Sequence, residues 1–160
     1  MNKNTERPDI QNRDVFAQVF HKLEFARELI EAFTGNKLVD PEVLETEETG
    51  YETLENPDAF DVYVRDGNDL YGVRMQSELC DTVILKVKDD IDMLYEAGPS
   101  ECGGEAWAIY FCTEDPFGHG DVIYNLTPGI PDGNDVVFNE HEHIKVVNLG
   151  SSVRSPFFIL

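Results

Sequence analysis

The chain is 160 residues long and 41% hydrophobic, and its 32 acids against 12 bases leave a formal net charge of -20. That apolar share excludes a disordered acidic tail, the length admits one compact domain, and no run approaches the roughly 20 apolar residues of a membrane span. From residue 89 to 160 only Lys145 and Arg154 are basic, against thirteen acids. Such a surface repels a nucleic-acid duplex unless the remaining bases gather on one face, because phosphate binding draws on Lys and Arg; it suits solubility or a basic protein partner. The opening residues carry no apolar segment, so no signal peptide is expected and the protein is assigned to the cytoplasm, away from membranes. Cys80, Cys102 and Cys112 are odd in number and lack Cys-x-x-Cys spacing, which points to neither a disulfide framework nor a zinc site. Cys80 and Cys112 lie in apolar contexts and read as core thiols.

Residues 1–11 are polar and are expected to fray. A first helix is predicted from Asn12, a good cap, to Thr34, with Phe16, Val19, Phe20, Leu23, Ala26, Ile30 and Phe33 on one face and Gly35-Asn36 as the stop. Glu24, Glu28 and Glu31 lie on the same helix and read as a solvated face. A short strand is predicted from Leu38 to Leu44, with Pro41 marking it as an edge or a bulge. The stretch 42–58 holds seven acids and no base and reads as an exposed loop. Phe60 to Arg65 and Leu70 to Gln76 alternate apolar and polar residues about Asp66-Gly67-Asn68-Asp69, a β-hairpin. A second helix is predicted from Leu79 to Ala97 on the stripe Val83, Val87, Ile91 and Leu94, ended by Gly98-Pro99, and Ser100 to Glu105 reads as a loop. Ala106 to Cys112 is an unbroken apolar run, expected as a buried central strand. Thr113 to Gly120 is rich in turn residues, and Val122–Leu126 and Ile144–Leu149 read as two further strands. The tail 151–160 ends in Phe157-Phe158-Ile159-Leu160, to which the sequence assigns no role.

On the second hairpin strand Gly72, Arg74 and Gln76 share a face, since side chains repeat every two residues. An acid on the first strand, Asp61, facing such a pair resembles the core of the PD-(D/E)XK nuclease superfamily. More closely it resembles the Rpn-like group of recombination-promoting nucleases, the PD-(D/E)XK nuclease family transposases, whose pattern runs Asp, hairpin, Glu-x-Gln. Phe60-Asp61-Val62-Tyr63 is similar to the group's Leu-Asp-Val-Tyr strand, and Asp14-Val15-Phe16 with Val19-Phe20 to its opening motif. Phe111-Cys112-Thr113 with Asp115-Pro116-Phe117-Gly118 resembles its Phe-Ile-Cys-Thr-x-Asp-Pro-Phe-Gly signature, and Asn148-Leu149-Gly150 its terminal Leu-Asn-x-x-Gly. The likeness covers residues 12–150 as a single domain. It implies an α/β fold with a restriction-endonuclease-like αβββαβ core, a mixed central sheet flanked by helices.

The resemblance implies a Mg²⁺-dependent DNA endonuclease of mobile-element or DNA-recombination type. Asp61 and the Met75 carbonyl would hold the metal, and Gln76 would position the attacking water. Arg74, however, stands where the family has its metal-binding Glu. A guanidinium there is permanently charged, is a strong partner for Asp61, and would occupy the cation's place. The family's basic, Tyr-rich start to the second helix is also replaced, by Ser77 to Lys86. A catalytically degenerate member, with Asp61, Arg74 and Gln76 at the former site, is therefore expected ahead of an active Mg²⁺ enzyme. Rescue of the metal by Glu28, Glu78 or Asp81 and an acidic decoy for a basic partner stand as alternatives. His141-Glu142-His143 places two imidazoles on one strand face, where they could ligate a transition metal or simply lie at the surface, and Asp115 with His119 flanks a turn that reads as structural.

Overall fold

The computed structural model describes residues 13–44, 60–76, 81–126 and 140–150. Expectations for 1–11, for most of the acidic loop, for Cys80 and for the tail 151–160 lie outside these residues. The elements are α1 (Arg13–Phe20), α2 (Leu23–Thr34), β1 (Pro41–Leu44), β2 (Val62–Asp66), β3 (Asp69–Gln76), α3 (Asp81–Ala97), α4 (Pro99–Cys102), β4 (Ala106–Cys112), β5 (Ile123–Leu126) and β6 (Glu142–Asn148). The strands form one six-stranded mixed sheet in the order β1-β2-β3-β4-β6-β5. β3, β4 and β6 run parallel, whereas β1–β2, β2–β3 and β5–β6 are antiparallel. No described helix is long and apolar enough to cross a membrane.

Alternation in the hairpin sends the two faces of β2 and β3 into separate cores. Val62, Val64, Tyr71, Val73 and Met75 lie under α1 and α2, where Phe111 of β4 meets Phe16 and Phe33 at ring separations of 5.4 and 5.1 Å. Tyr63 and Leu70 lie on the opposite face with Val87, Ile91 and Leu94 of α3. β4 is interior and buried on both faces from Ala108 to Cys112, which explains its unbroken apolar run. Each fully buried side chain of this size contributes about 1.5–3 kcal/mol. The hairpin closes on the pair Asp66–Asp69, and Gly67 turns the corner at φ 62°, a value that favours glycine.

The first helix departs from its predicted form. It breaks at His21–Lys22, where Lys22 is extended (φ -77°, ψ 123°). In one continuous helix Leu23 would sit at the centre of the Phe16–Phe20–Ile30 stripe. After the break it is 42% exposed, and Ala26, Leu29, Ile30 and Phe33 carry the burial instead. No Gly or Pro marks the break; tertiary packing sets it, with α1 lying against β3 and α2 against β1. β1 starts at Pro41 instead of Leu38, and as the edge strand it tolerates the missing N–H. The stretch expected to be a loop after Gly98 contains α4, with Pro99 at its first turn.

Candidate functional site

Between Phe60 and Tyr63 the hairpin slips by one residue. Both side chains pack on the α3 face although they are three apart. Asp61 donates its N–H to the carbonyl of Val73, the same residue with which Val62 pairs (2.8 Å). Two residues opposing one is a β-bulge. Gly72 makes room for it, since a Cβ there would lie 2.5 Å from the Phe60 ring.

The bulge takes Asp61 out of the simple alternation of the hairpin. Its carboxylate turns to the edge of β3, where Oδ2 accepts the Met75 N–H at 2.8 Å. A strand residue directs its N–H and C=O to the same edge, so the Met75 carbonyl lies on the Asp61 side as well. The Met75 side chain is buried on the face of α1 and α2. Gln76 ends β3, paired with Cys112, and its side chain lies outside the described residues.

Arg74, half-buried, is paired in register with Tyr110 of β4. On α3, Asp90 is only 4% exposed and lies within the field of Arg74, and its Oδ2 accepts the Tyr110 hydroxyl at 3.3 Å. Burial pushes the Asp90 carboxyl up, while Lys86, the Tyr110 hydroxyl and Arg74 draw it back down. Burial, followed by the charge of Asp90, likewise carries the Tyr110 hydroxyl well above its ordinary value. Arg74, Asp90 and Tyr110 thus share one electrostatic environment beneath α3. Asp90 was legible in principle, as an acid set within the apolar stripe of Val87, Ile91 and Leu94.

This donor set does not fit a magnesium ion. Mg²⁺ requires near-octahedral oxygen ligation with carboxylates free to face it. Here one oxygen of Asp61 accepts the Met75 N–H, Arg74 offers a guanidinium and no oxygen ligand, and Asp90 is engaged with Tyr110. Among the described residues no group of three or more His, Cys, Asp or Glu is arranged to hold a metal ion.

The remaining sequence candidates separate cleanly. Asp115 organises its turn: Oδ1 accepts the N–H groups of Phe117 and Gly118 and the hydroxyl of Tyr124, and Oδ2 accepts the N–H of Gly120. The Tyr124 hydroxyl and these amides hold its carboxyl down, at about 2, against desolvation. Its oxygens are thereby committed to the loop, and of His119 it is the backbone N–H that meets the Tyr124 hydroxyl. Cys112 is fully buried, and burial pushes its thiol up to about 12. His141 and His143 stand at the start of β6, at the opposite end of the parallel strands from Arg74, and both address Glu105. A scan against models of known protein families, a search of curated proteins and a search of solved structures each return no match.

Proposed function

We propose that this chain is a degenerate PD-(D/E)XK nuclease-like domain of the Rpn-like transposase group, in which a fixed cation has replaced the catalytic metal. The observation that carries the reading is the position of Arg74, which stands on the second hairpin strand where the resemblance calls for the metal-binding Glu. A buried carboxylate, Asp90, and the Tyr110 hydroxyl share its surroundings. Supporting it is the element order: a helix pair, three antiparallel strands, a helix, and a strand parallel to the third, as expected of a restriction-endonuclease-like αβββαβ core. The Asp115 turn supports it too, since its hydrogen bonds give the Cys-Thr-x-Asp-Pro-Phe-Gly likeness a structural reason.

Hydrolysis of a phosphodiester needs a metal to activate water and neutralise the developing charge. With Arg74 in place, Asp61 and Met75 keep the edge of β3 closed and offer Mg²⁺ no second carboxylate. The net charge of -20 favours a basic protein over DNA as partner for what remains. Calorimetry with MnCl₂ and a supercoiled-plasmid nicking assay in Mg²⁺ test the reading together. The expected result is no site tighter than about millimolar and no nicking. Nicking by the native chain, abolished in Asp61→Ala, would establish the active endonuclease instead, and a stoichiometric Mn²⁺ site lost in that variant would overturn the displacement of the metal by Arg74.

A further inference from the structure

The two edges of the sheet differ in kind. β1 opens with Pro41 and carries the Glu42–Arg65 ion pair, features that discourage another strand from adding there. β5 holds neither a proline nor a charged residue, and among the described residues no strand pairs with its outer side. Asn148 donates its N–H to the Val122 carbonyl at 2.8 Å, and the antiparallel register runs on from Ile123–Val147 to Leu126–Ile144. Alternate residues of such a pair turn their N–H and C=O toward the neighbouring strand. Val122, Tyr124 and Leu126 therefore address β6, whereas Ile123 and Asn125, both exposed, direct theirs outward.

A pocket of about 340 Å³ lies against the same strand, and all four β5 residues line it in succession. Successive side chains of a strand point to opposite faces, so a pocket walled by every one of them follows the edge and not a single face of the sheet. Phe117 and Tyr124, set edge to face with ring centroids 4.7 Å apart, give it an aromatic wall together with Leu126. Asp121, exposed, brings a carboxylate to the end where the strand begins.

We infer that β5 takes an extended segment of a basic protein as a further strand of the sheet. The segment's main chain pairs with Ile123 and Asn125, an apolar side chain enters beside Phe117, Tyr124 and Leu126, and a lysine or arginine reaches Asp121. Addition of a strand to an open edge draws affinity from main-chain hydrogen bonds and selectivity from the pockets that receive alternate side chains. The sign of the partner's charge comes from the chain itself: residues 89 to 144 hold thirteen acids and no lysine or arginine. Lys145, in register with Asn125, donates its ammonium to Asn125 Oδ1. A second copy of this chain would bring the same excess of acid to the edge, which disfavours self-pairing there. The inference rests on the basic-partner part of the proposed function and makes no use of Arg74 or a metal.

The probe is a synthetic peptide that alternates lysine with valine or phenylalanine, titrated into the full chain and followed by amide hydrogen exchange. Without peptide the Ile123 and Asn125 amides should exchange fast and those of Tyr124 and Leu126 slowly; one equivalent of peptide should protect the first pair as well. N-methylation of alternate peptide amides removes main-chain donors without altering charge, and should weaken binding by at least about 10-fold. Ile123→Pro deletes one outward N–H and spares the bonds to β6, as edge strands tolerate; with Tyr124 and Leu126 still protected, it should weaken binding by a similar factor. Asp121→Asn should weaken it by about 3-fold, and a glutamate-for-lysine peptide should not bind. No binding, or binding indifferent to N-methylation or equal for the acidic peptide, overturns the inference. So does protection of Ile123 and Asn125 in the chain alone, whether this chain or a second copy covers the edge. The assay reads neither metal nor nicking, so its failure is distinguishable from failure of the nuclease-like reading.

Discussion

Replacing Arg74 by glutamate puts a carboxylate where a cation now lowers the Asp90 carboxyl. Arg74 is half-buried and acts on Asp90 less than Lys86 and the Tyr110 hydroxyl do, so a loss of about 1–2 kcal/mol is expected at pH 7. In a chain of this size that lowers Tm by about 2–8 °C. The sign of the pH dependence follows from Asp90. Its folded-state pKa is raised, so its contribution to stability is complete below the ordinary carboxylate range and is lost as pH rises through the raised value. A second carboxylate raises that value further, and the deficit of Arg74→Glu relative to the native chain should therefore shrink as pH falls from 7 toward 4.

On the proposed reading, the same variant gains a second carboxylate beside Asp61 for a divalent ion. With an apparent Kd of about 1 mM, 10 mM MnCl₂ stabilises by RT ln 11, about 1.4 kcal/mol, or about 3–6 °C in Tm. Differential scanning calorimetry of the native chain, Arg74→Glu and Arg74→Glu/Asp61→Asn, with and without MnCl₂, separates the terms. A gain confined to Arg74→Glu is the expected outcome. Equal gains in the native chain, lost on changing Asp61, would show that Arg74 does not occupy the cation's place.

Gly104→Ala should destabilise by about 2–3 kcal/mol in urea, because its Cβ would lie 1.9 Å from the Asn68 carbonyl oxygen and backbone must move; a change below about 0.5 kcal/mol would contradict this packing. Tyr124→Phe removes the hydroxyl that does most to hold Asp115 down, so the Asp115 pKa should rise from about 2 toward the ordinary carboxylate value in a carboxyl NMR titration. Cys102 should react with a thiol reagent in the native state, while Cys112 should label only on global unfolding, as quenched mass spectrometry would show. Duplex DNA should bind no tighter than about 10⁻⁴ M at physiological salt; a discrete micromolar complex that weakens with salt would reveal a basic face formed by Lys22, Arg27, Arg65, Arg74, Lys86 and Lys88.

The parts of the fold legible in the sequence are those in which one physical rule acts alone. β4 announces itself because burial on both faces demands apolar residues throughout, and the hairpin because alternation and a glycine turn agree. The helix break at His21–Lys22 leaves no local mark, since it reconciles α1 and α2 with different strands. The bulge at Asp61 is hidden for a related reason: period-two alternation presumes equal strand lengths, and only the Phe60 ring seated over Gly72 reveals the extra residue. Arg74 was visible as a departure from the resemblance, whereas its neighbour Asp90 arrives from another element. The spacing of His141 and His143 was plain, but Glu105 lies 36 residues from His141 and joins it only through parallel register.

That register also governs how the sheet can assemble. Hairpin partners lie 3 to 11 residues apart, from Asp66–Asp69 to Val62–Val73. By contrast, Leu70–Ala106 and Ala106–Glu142 each span 36 residues (106 − 70 and 142 − 106). Loop closure grows less favourable with span, so the hairpin forms first and serves as the template for two slower parallel additions. In the interval between them β4, the most apolar segment of the chain, has β3 on one side and an open edge on the other. An unpaired apolar edge invites pairing with another copy. The excess of negative charge, shared by every copy, opposes that encounter while the edge is uncovered. The acidity that counts against DNA binding in the folded protein thus protects the chain on the way to it.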